Sequence, residues 1–192
     1  MDTAGLLTTL AGAARGSTFG LVALALLTGC TSLASGGPTA VAPSEVAPDG
    51  PGAAVMVEVI DGDTIDVSIQ GRIERIRLIG IDTPETVDER RPEQCYGAEA
   101  SEHLTELLPL GSTLRLERDE ELRDRYDRLL AYVHSADGTF VNLDMVRGGF
   151  AAAMPYPPNT SYLVDFEQAE RSAEASATGL WGVCGGPDVP LP

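Results

Sequence analysis

The chain has 192 residues, of which 43% are hydrophobic, and its 29 acidic against 13 basic residues give a formal net charge of -16. This length and hydrophobic content predict one domain. The acidity argues against a protein that attracts nucleic acid over long distances. All 13 basic residues are arginine, so a polyanion would be bound only where arginines cluster.

The N-terminal residues predict a targeting segment that is not part of the fold. Arg15 precedes the apolar run 21–27, which is too short to span a bilayer. The run leads into Leu27-Thr28-Gly29-Cys30, which resembles the cleavage box of bacterial lipoproteins, in which the cysteine is acylated and becomes the new N-terminus. We therefore expect a lipoprotein signal peptide over residues 1–29. The alternative is an ordinary signal peptide that is cut near Ala34.

With a lipidated Cys30, the protein would be exported and anchored to the outer face of the bacterial cell membrane; without the lipid it would be secreted. Residues 30–54 are rich in Ala, Gly and Pro and contain no aromatic residue, a composition that predicts a flexible linker. Residues 185–192 are a Pro/Gly-rich stretch and are predicted to be a disordered tail. The folded domain is therefore predicted to span residues 55–184.

Three consecutive segments at the start of the domain predict a β-meander. Residues 55–60 are mostly apolar and end at Asp61-Gly62, a dipeptide typical of hairpin turns. Residues 65–70 alternate between apolar and polar, as in a strand with one solvent-facing side. Residues 73–81 predict a third strand, with Arg77 on the face opposite its apolar residues.

The rest of the domain alternates between helical and strand patterns. A helix is predicted over residues 96–108, strands over 113–117 and 129–134, and further helices over 141–147 and 163–177. Five strands that are interrupted by one helix and followed by two more predict an α+β fold, a small closed Greek-key barrel of the OB type with three α-helices. Such barrels often bind nucleic acids on one face.

The three cysteines support the prediction of export. If Cys30 is lipidated, Cys95 and Cys184 remain, and an exported domain with two cysteines usually pairs them in a disulfide. Two buried free thiols are the alternative. A metal-binding pair is less favoured, because neither cysteine has a second Cys or His at ligand spacing.

Acidic residues and an arginine are concentrated in the first part of the domain. Asp63, Asp82 and Glu85 could together bind a hard cation, and Arg77 has the planar donor group that suits a phosphate. This combination indicates phosphodiester chemistry. Taken singly, these residues have ordinary structural explanations as the alternative: Asp82 would simply end a strand, and Arg77 would pair with Glu74 or Asp66 at the surface.

In combination, the motifs of this domain closely resemble the staphylococcal nuclease (thermonuclease) family. The matching segments are Val59-Ile60-Asp61-Gly62-Asp63-Thr64, Arg77-Leu78-Ile79-Gly80-Ile81-Asp82-Thr83-Pro84-Glu85, Tyr96-Gly97-Ala98-Glu99-Ala100, Arg125-Tyr126-Asp127-Arg128-Leu129-Leu130-Ala131-Tyr132, Val141-Asn142 and Gly179-Leu180-Trp181. The resemblance implies an OB-fold barrel that uses Ca²⁺ to hydrolyse the 5′ P–O bond of DNA or RNA and leaves 3′-phosphates. The lipoprotein signal would make this chain a membrane-anchored member.

The resemblance also implies metal and catalytic roles. Asp63 and Asp82 would bind Ca²⁺ through side-chain oxygens and Thr83 through its backbone carbonyl, as suits an ion that takes six to eight oxygen ligands. Glu85 would be the general base, or would orient the attacking water.

The phosphate and the nucleotide would be held by further residues that match the family. Arg77 and Arg128 would grip the phosphate and stabilise charge on its equatorial oxygens. Arg125 would contact a substrate phosphate, and Tyr126 and Tyr156 would line the nucleotide pocket.

Two positions depart from the family pattern. Asp127 stands where glycine is common, beside the expected phosphate-binding arginine, and Met154 takes the place of a tyrosine that stacks on the nucleotide base. Base stacking contributes about 1–3 kcal/mol per base, so substrate affinity or base preference is expected to differ.

The alternative to an enzyme is a non-catalytic module on the same fold that binds nucleic acid or protein. Arg77, Glu85 and Arg128 are all present, which favours the enzyme. A lipoprotein that binds Ca²⁺ only for structure or adhesion would not need these arginines. No protein partner is evident from the sequence, and a monomer is expected.

The lipoprotein signal predicts that the mature chain begins at an acylated Cys30. Mass spectrometry of the protein from its native host should find an N-terminal peptide that starts at Cys30 and carries the mass of two or three acyl chains. An unmodified Cys30 thiol would contradict this prediction.

Overall fold

The computed structural model describes residues 53–86 and 92–191. Within them, five strands close into a barrel in the order β1-β2-β3-β6-β5. These strands are β1 (Ala54–Asp61), β2 (Thr64–Ile69), β3 (Arg72–Leu78), β5 (Thr113–Glu117) and β6 (Leu129–His134). Neighbouring strands are antiparallel except β3 and β6, which are parallel. This architecture confirms the predicted α+β fold with a five-stranded OB-type barrel.

The barrel forms because alternate residues of its strands are apolar and point inward. On β2 Ile65 and Val67 are fully buried, and on β3 Ile76 and Leu78 are fully buried while Arg77 lies between them on the other face. The predicted orientation of Arg77, opposite the apolar face of its strand, is therefore confirmed.

The third strand is shorter than predicted, because the chain leaves the barrel after Leu78. Gly80 has a φ of 82°, which glycine adopts without steric cost. The carbonyl of Ile79 accepts a hydrogen bond from the buried Asn142 side chain at 2.9 Å. Beyond this break, the two-residue strand β4 (Ile81–Asp82) pairs with β7 (Ala152–Ala153) in a separate ribbon. Neither short strand was predicted.

Helices cover the barrel. The three predicted helices are present as α1 (Gly97–Leu107), α2 (Val141–Arg147) and α3 (Leu163–Ala175), and the short α4 (Leu180–Val183) was not predicted. α3 buries Phe166, Ala169 and Ala173, which share one face as their helical spacing requires. At the first residue of α4, the N–H of Leu180 donates to the Gly149 carbonyl at 2.9 Å.

A disulfide joins Cys95, just before α1, to Cys184, at the end of α4. The predicted pairing is therefore confirmed. The two residues are 89 positions apart, and a loop of that length gives a stabilisation of at most about 4–5 kcal/mol in the loop-entropy model. The disulfide fixes both helix ends to each other.

The folded part of the chain extends beyond both predicted boundaries. Ala54, predicted to belong to the linker, is the first residue of β1 and is fully buried. After Cys184, the predicted disordered tail instead runs back along residues 93–95, just before α1. The N–H of Cys95 donates to the Val189 carbonyl at 2.7 Å, and the N–H of Leu191 donates to the Glu93 carbonyl at 2.9 Å. Composition alone did not indicate these backbone hydrogen bonds.

The predicted signal peptide over residues 1–29, the lipidation site Cys30 and the linker up to residue 52 lie outside the described residues. In the part of the chain that the structure describes, no helix combines the length and the hydrophobicity needed to cross a bilayer.

Candidate active site

One cleft of about 660 Å³ is lined by all nine residues that the sequence analysis assigned to metal binding, catalysis or substrate binding. The nine are Asp63, Arg77, Asp82, Thr83, Glu85, Arg125, Tyr126, Arg128 and Tyr156. They come from the turn before β2, from β3, from the segment 82–85 and from two loops that are distant in sequence. The roles themselves remain predictions.

The centre of the cleft is a guanidinium group between two carboxylates. Nη2 of Arg77 lies 3.0 Å from Oδ2 of Asp63 and 3.1 Å from Oδ1 of Asp82. Asp63 is almost completely buried. Two carboxylates from different parts of the chain therefore converge on a single cationic nitrogen.

Strand pairing and the break after β3 create this convergence. Arg77 pairs with Thr64 across β2 and β3, and the N–H of Leu78 donates to the Asp63 carbonyl at 2.9 Å. Asp63 and Arg77 are thus neighbours in the sheet, and the turn through Gly80 returns the chain so that Asp82 reaches the same arginine.

The alternative in which Arg77 pairs with Asp66 or Glu74 at the surface is not what the structure contains. Asp66 forms a bidentate pair with Arg75, at 2.7 and 2.9 Å. Glu74 binds Arg123 at 2.8 Å.

Further hydrogen bonds hold the Asp63 carboxylate in place. Oδ1 accepts from the Thr64 hydroxyl at 3.0 Å, and Oδ2 accepts from the Thr83 backbone N–H at 3.2 Å. The N–H of Asp63 in turn donates to Oδ1 of Asp61 at 3.0 Å. Burial, and then repulsion from Asp63, raise the pKa of the Asp61 carboxyl to about 6. Asp61 and Asp63 together thus carry more negative charge than their surroundings readily stabilise.

The charge balance of the cleft suits a divalent cation. Its described lining carries seven carboxylates (Asp61, Asp63, Asp82, Glu85, Glu121, Asp124 and Asp188) and three arginines (Arg77, Arg125 and Arg128). A phosphate entering this cleft would be repelled unless a cation were bound with it. Over residues 53–86 and 92–191 no three His, Cys, Asp or Glu side chains form a ready-made metal cluster. A metal would therefore depend on Asp63, Asp82, backbone oxygens and water.

The backbone of Glu85 is fixed by a residue that the sequence analysis did not single out. The Glu85 N–H donates to Oε1 of Gln94 at 2.6 Å, and the Gln94 N–H donates to the Glu85 carbonyl at 2.9 Å. Oε1 of Glu85 accepts a hydrogen bond from the N–H of Thr86 at 3.0 Å.

On the opposite side of the cleft, Asp124 organises the arginine-rich loop. Its carboxylate accepts from Nε of Arg128 at 2.6 Å and from the backbone N–H groups of Arg128 and Tyr126, both at 2.9 Å. Burial alone would raise the pKa of Asp124, but these hydrogen bonds outweigh it and hold the pKa below its ordinary value.

The aromatic ring of Tyr126 lies beside both loop arginines. The guanidinium carbons of Arg125 and Arg128 are 4.7 and 5.6 Å from its centroid, which is within the range of cation–π attraction. The ring is largely exposed. Strand β6 begins directly after Arg128 and pairs with β3 through Leu129 and Ile76, so this loop is held near the strand that carries Arg77.

The structure shows the surroundings of Asp127 and Met154, the two residues that depart from the family pattern. Asp127 has a φ of 66°, a left-handed conformation that favours glycine and that aspartate tolerates better than most residues. Its side chain faces Arg123 and not Arg125. Met154 lines the cleft beside Tyr156.

Besides Asp61, which lies in one of the matching motifs, four polar residues of the cleft were absent from the sequence-based site: Gln94, Glu121, Asp124 and Asp188. The spacing of Asp124, four residues before Arg128, was an available signal for an ion pair. Gln94 and Asp188 gave no comparable signal, because they meet only through the return of the C-terminal segment.

Comparison with known proteins identifies relatives for this domain. Residues 75–183 match the family described as "Staphylococcal nuclease homologue". The chain is 45% identical to "Thermonuclease" of Staphylococcus intermedius over 127 residues, which are 64% of this chain and 72% of that protein. It is 42% identical to "Thermonuclease" of Staphylococcus hyicus over 130 residues, 66% of this chain and 73% of the relative. It is 40% identical over 127 residues to "SPbeta prophage-derived endonuclease YokF" of Bacillus subtilis (strain 168), 64% and 41% of the respective chains.

The anchoring of Arg128 by Asp124 generates a stability prediction. Asp124→Asn places an amide donor against the Arg128 guanidinium and should lower the free energy of unfolding at pH 7 by about 1.5–3 kcal/mol, the usual contribution of a hydrogen bond to a charged group. Because the folded-state pKa of Asp124 is lowered, its contribution is complete above the ordinary carboxyl pKa and is lost as the pH falls through the lowered value. Denaturant unfolding measures the difference.

Asp137→Asn is the matched control. Asp137 accepts hydrogen bonds from the Ser135 hydroxyl and the Thr139 N–H, but it is exposed, and over residues 53–86 and 92–191 no arginine binds it. Its substitution should cost clearly less. Equal losses for the two variants would mean that the Arg128 contact does not stabilise the loop.

Proposed function

Because the chain belongs to the staphylococcal nuclease homologue family, we propose that it is a calcium-dependent nuclease that hydrolyses the 5′ P–O bond of DNA or RNA and leaves 3′-phosphates. The observation that carries this proposal is the convergence of Asp63, Asp82, Arg77, Glu85 and Arg128 on one cleft. Relatives named "Thermonuclease" and "endonuclease" support the reaction class.

The cleft contains suitable ligands for Ca²⁺. Asp63 and Asp82 approach each other closely enough to share one cationic nitrogen, and they would hold the ion together with the Thr83 carbonyl and water. Oxygen donors of this kind are what Ca²⁺ prefers. When bound, the ion would offset the excess of carboxylates and draw the scissile phosphate into the cleft.

Glu85 is the proposed general base. It lies three residues after Asp82, and its backbone is held from both sides by Gln94, so its carboxylate starts from a fixed point in the cleft wall. It would take a proton from the attacking water, or orient that water. A positioned base contributes roughly 10²- to 10⁴-fold to a rate.

The arginines would bind the phosphate and stabilise the charge that develops on it. Of the three nitrogens of the Arg128 guanidinium, only Nε donates to Asp124. Within the described residues the two terminal nitrogens make no hydrogen bond. They are therefore available to two phosphate oxygens. Arg77 holds the two acidic residues and would share its charge with the phosphate once the cation is present.

Arg125 and the aromatic residues would define where the nucleotide lies. Arg125 donates to the Tyr126 hydroxyl at 2.7 Å, so the two side chains form one edge of the cleft. Tyr156 and Met154 line the cleft as well. A methionine there offers an apolar contact without a ring face, and weaker stacking on the base follows.

For location, the proposal is a lipid anchor at Cys30 that holds a monomeric nuclease domain at the outer face of the membrane. This part is supported by the Leu27-Thr28-Gly29-Cys30 motif and by the disulfide between Cys95 and Cys184, a bond that is typical of exported proteins.

Three variants test the proposed reaction. In single-turnover cleavage of a short DNA with saturating Ca²⁺, Arg128→Ala and Arg77→Lys should each lower the rate at least about 10²-fold. Alanine removes the guanidinium that would bind the phosphate, and lysine lacks its two parallel donors. Glu85→Gln should cost a similar factor or more, because an amide cannot accept the proton. DNA binding should change much less than the rate.

Arg171→Lys is the matched control for the arginine substitution. Arg171 lies on the exposed side of α3, and among the described residues its one ion pair is with Glu167 of the same helix. It should cleave like the wild type, and a chelator should abolish cleavage by both. If the wild type binds DNA without cutting it, the protein is a binding module and not a nuclease. If all three cleft variants cut normally, Arg77, Glu85 and Arg128 do not carry the reaction.

A further inference from the structure

We propose that Gln94 is a positioning residue for Glu85, and that the C-terminal segment 186–191 holds Gln94 in place through Asp188. The inference rests on the proposed role of Glu85 as the catalytic carboxylate. It adds a residue pair that supports that carboxylate from outside the expected catalytic set.

Gln94 grips the backbone of Glu85 by two opposed hydrogen bonds. Its side-chain carbonyl accepts from the Glu85 N–H at 2.6 Å, and its own N–H donates to the Glu85 carbonyl at 2.9 Å. Both polar backbone groups of Glu85 are thus tied to one residue, which is 91% buried. Rotation or translation of the Glu85 backbone would break at least one of these bonds.

The remaining polar group of the Gln94 side chain is tied to the end of the chain. Its amide nitrogen donates to Oδ1 of Asp188 at 3.0 Å, across 94 positions of sequence. Gln94 and Asp188 both line the cleft. The side-chain amide therefore connects Glu85 on one side to the C-terminal segment on the other.

The C-terminal segment is held in register with Gln94 by its own contacts. Gln94 forms a β-bridge with Pro190, and the hydrogen bonds Cys95 to Val189 and Leu191 to Glu93 flank it. Cys95, the residue directly after Gln94, forms the disulfide with Cys184, which lies just before this segment. Asp188 itself has a φ of 58°, so its backbone adopts the left-handed conformation that this return path requires.

Catalysis is sensitive to small shifts of a base. A displacement of about 1 Å from the productive geometry can cost about 10²-fold in rate. Loss of the Gln94 grip would leave the ligands Asp63 and Asp82 and the arginines Arg77 and Arg128 in place. The expected signature is therefore a lower kcat with an unchanged KM and an unchanged requirement for Ca²⁺.

The test begins with Gln94→Ala, Asp188→Ala and Asp188→Asn in the full chain, assayed for cleavage of a short DNA with saturating Ca²⁺. Gln94→Ala should lower kcat about 10- to 100-fold and leave KM within about twofold. Asp188→Ala should lower kcat in the same direction but less. Asp188→Asn keeps the carbonyl that accepts from Gln94 and should restore most of the activity. Gln168→Ala, a substitution of an exposed glutamine on α3, should have no effect.

A double-mutant cycle separates positioning from general destabilisation. In a Glu85→Gln background the base is already absent, so Gln94→Ala should lower the residual rate little further, whereas a loss of folding would lower it by the full factor. Thermal melts of every variant accompany the assays. Full additivity with Glu85→Gln, or a wild-type kcat for Gln94→Ala, would overturn the inference.

Asp188→Asn being as inactive as Asp188→Ala would also overturn it, because the charge of Asp188 and not its contact with Gln94 would then matter. These outcomes are distinct from a failure of the proposed function. A wild type that does not cleave would remove the proposed function itself, whereas a Glu85→Gln variant that cleaves normally would remove only the proposed role of Glu85.

Discussion

The contact of the Arg77 guanidinium with both Asp63 and Asp82 is the interaction on which the rest of the site depends. Two carboxylates that meet at about 3 Å from one nitrogen would repel each other strongly without a positive charge between them. The arginine supplies that charge from within the fold and keeps the two acids close. The proposed Ca²⁺ would then join a site whose acidic side chains are already together, so that little ordering would remain when it binds.

The barrel provides this arrangement through an irregularity and not through its regular strands. If β3 had continued to Ile81, Asp82 would lie farther along the strand and away from Arg77. The turn at Gly80, with the Ile79 carbonyl taken by Asn142, ends the strand early and brings Asp82 back. Glu85 follows within three residues, so a single chain reversal delivers both the second carboxylate and the proposed base to the cleft.

Most of the fold could be predicted from local patterns, whereas most of the cleft residues were predicted from the resemblance to the nuclease family. The alternation in β2 and β3, the spacing of Phe166, Ala169 and Ala173, and the two cysteines left after Cys30 each had a direct physical reading. The unpredicted parts depend on contacts between distant segments: the ribbon of β4 and β7, the return of the C-terminal segment, and the clamp of Gln94 on Glu85. Most of these contacts use backbone groups that every residue carries, and the side-chain contacts of Gln94 join segments that are distant in sequence, so neither kind leaves a trace in composition or periodicity.

We propose that this acidic domain uses Ca²⁺ to cleave phosphodiester bonds and that it breaks the 5′ P–O bond. The most direct measurement is mass spectrometry of the products after the purified protein has acted on a defined oligonucleotide, with Ca²⁺ and with a chelator. We expect fragments that end in a 3′-phosphate with Ca²⁺ and intact substrate with the chelator. Fragments that end in a 3′-hydroxyl, or equal cleavage in the chelator, would contradict it.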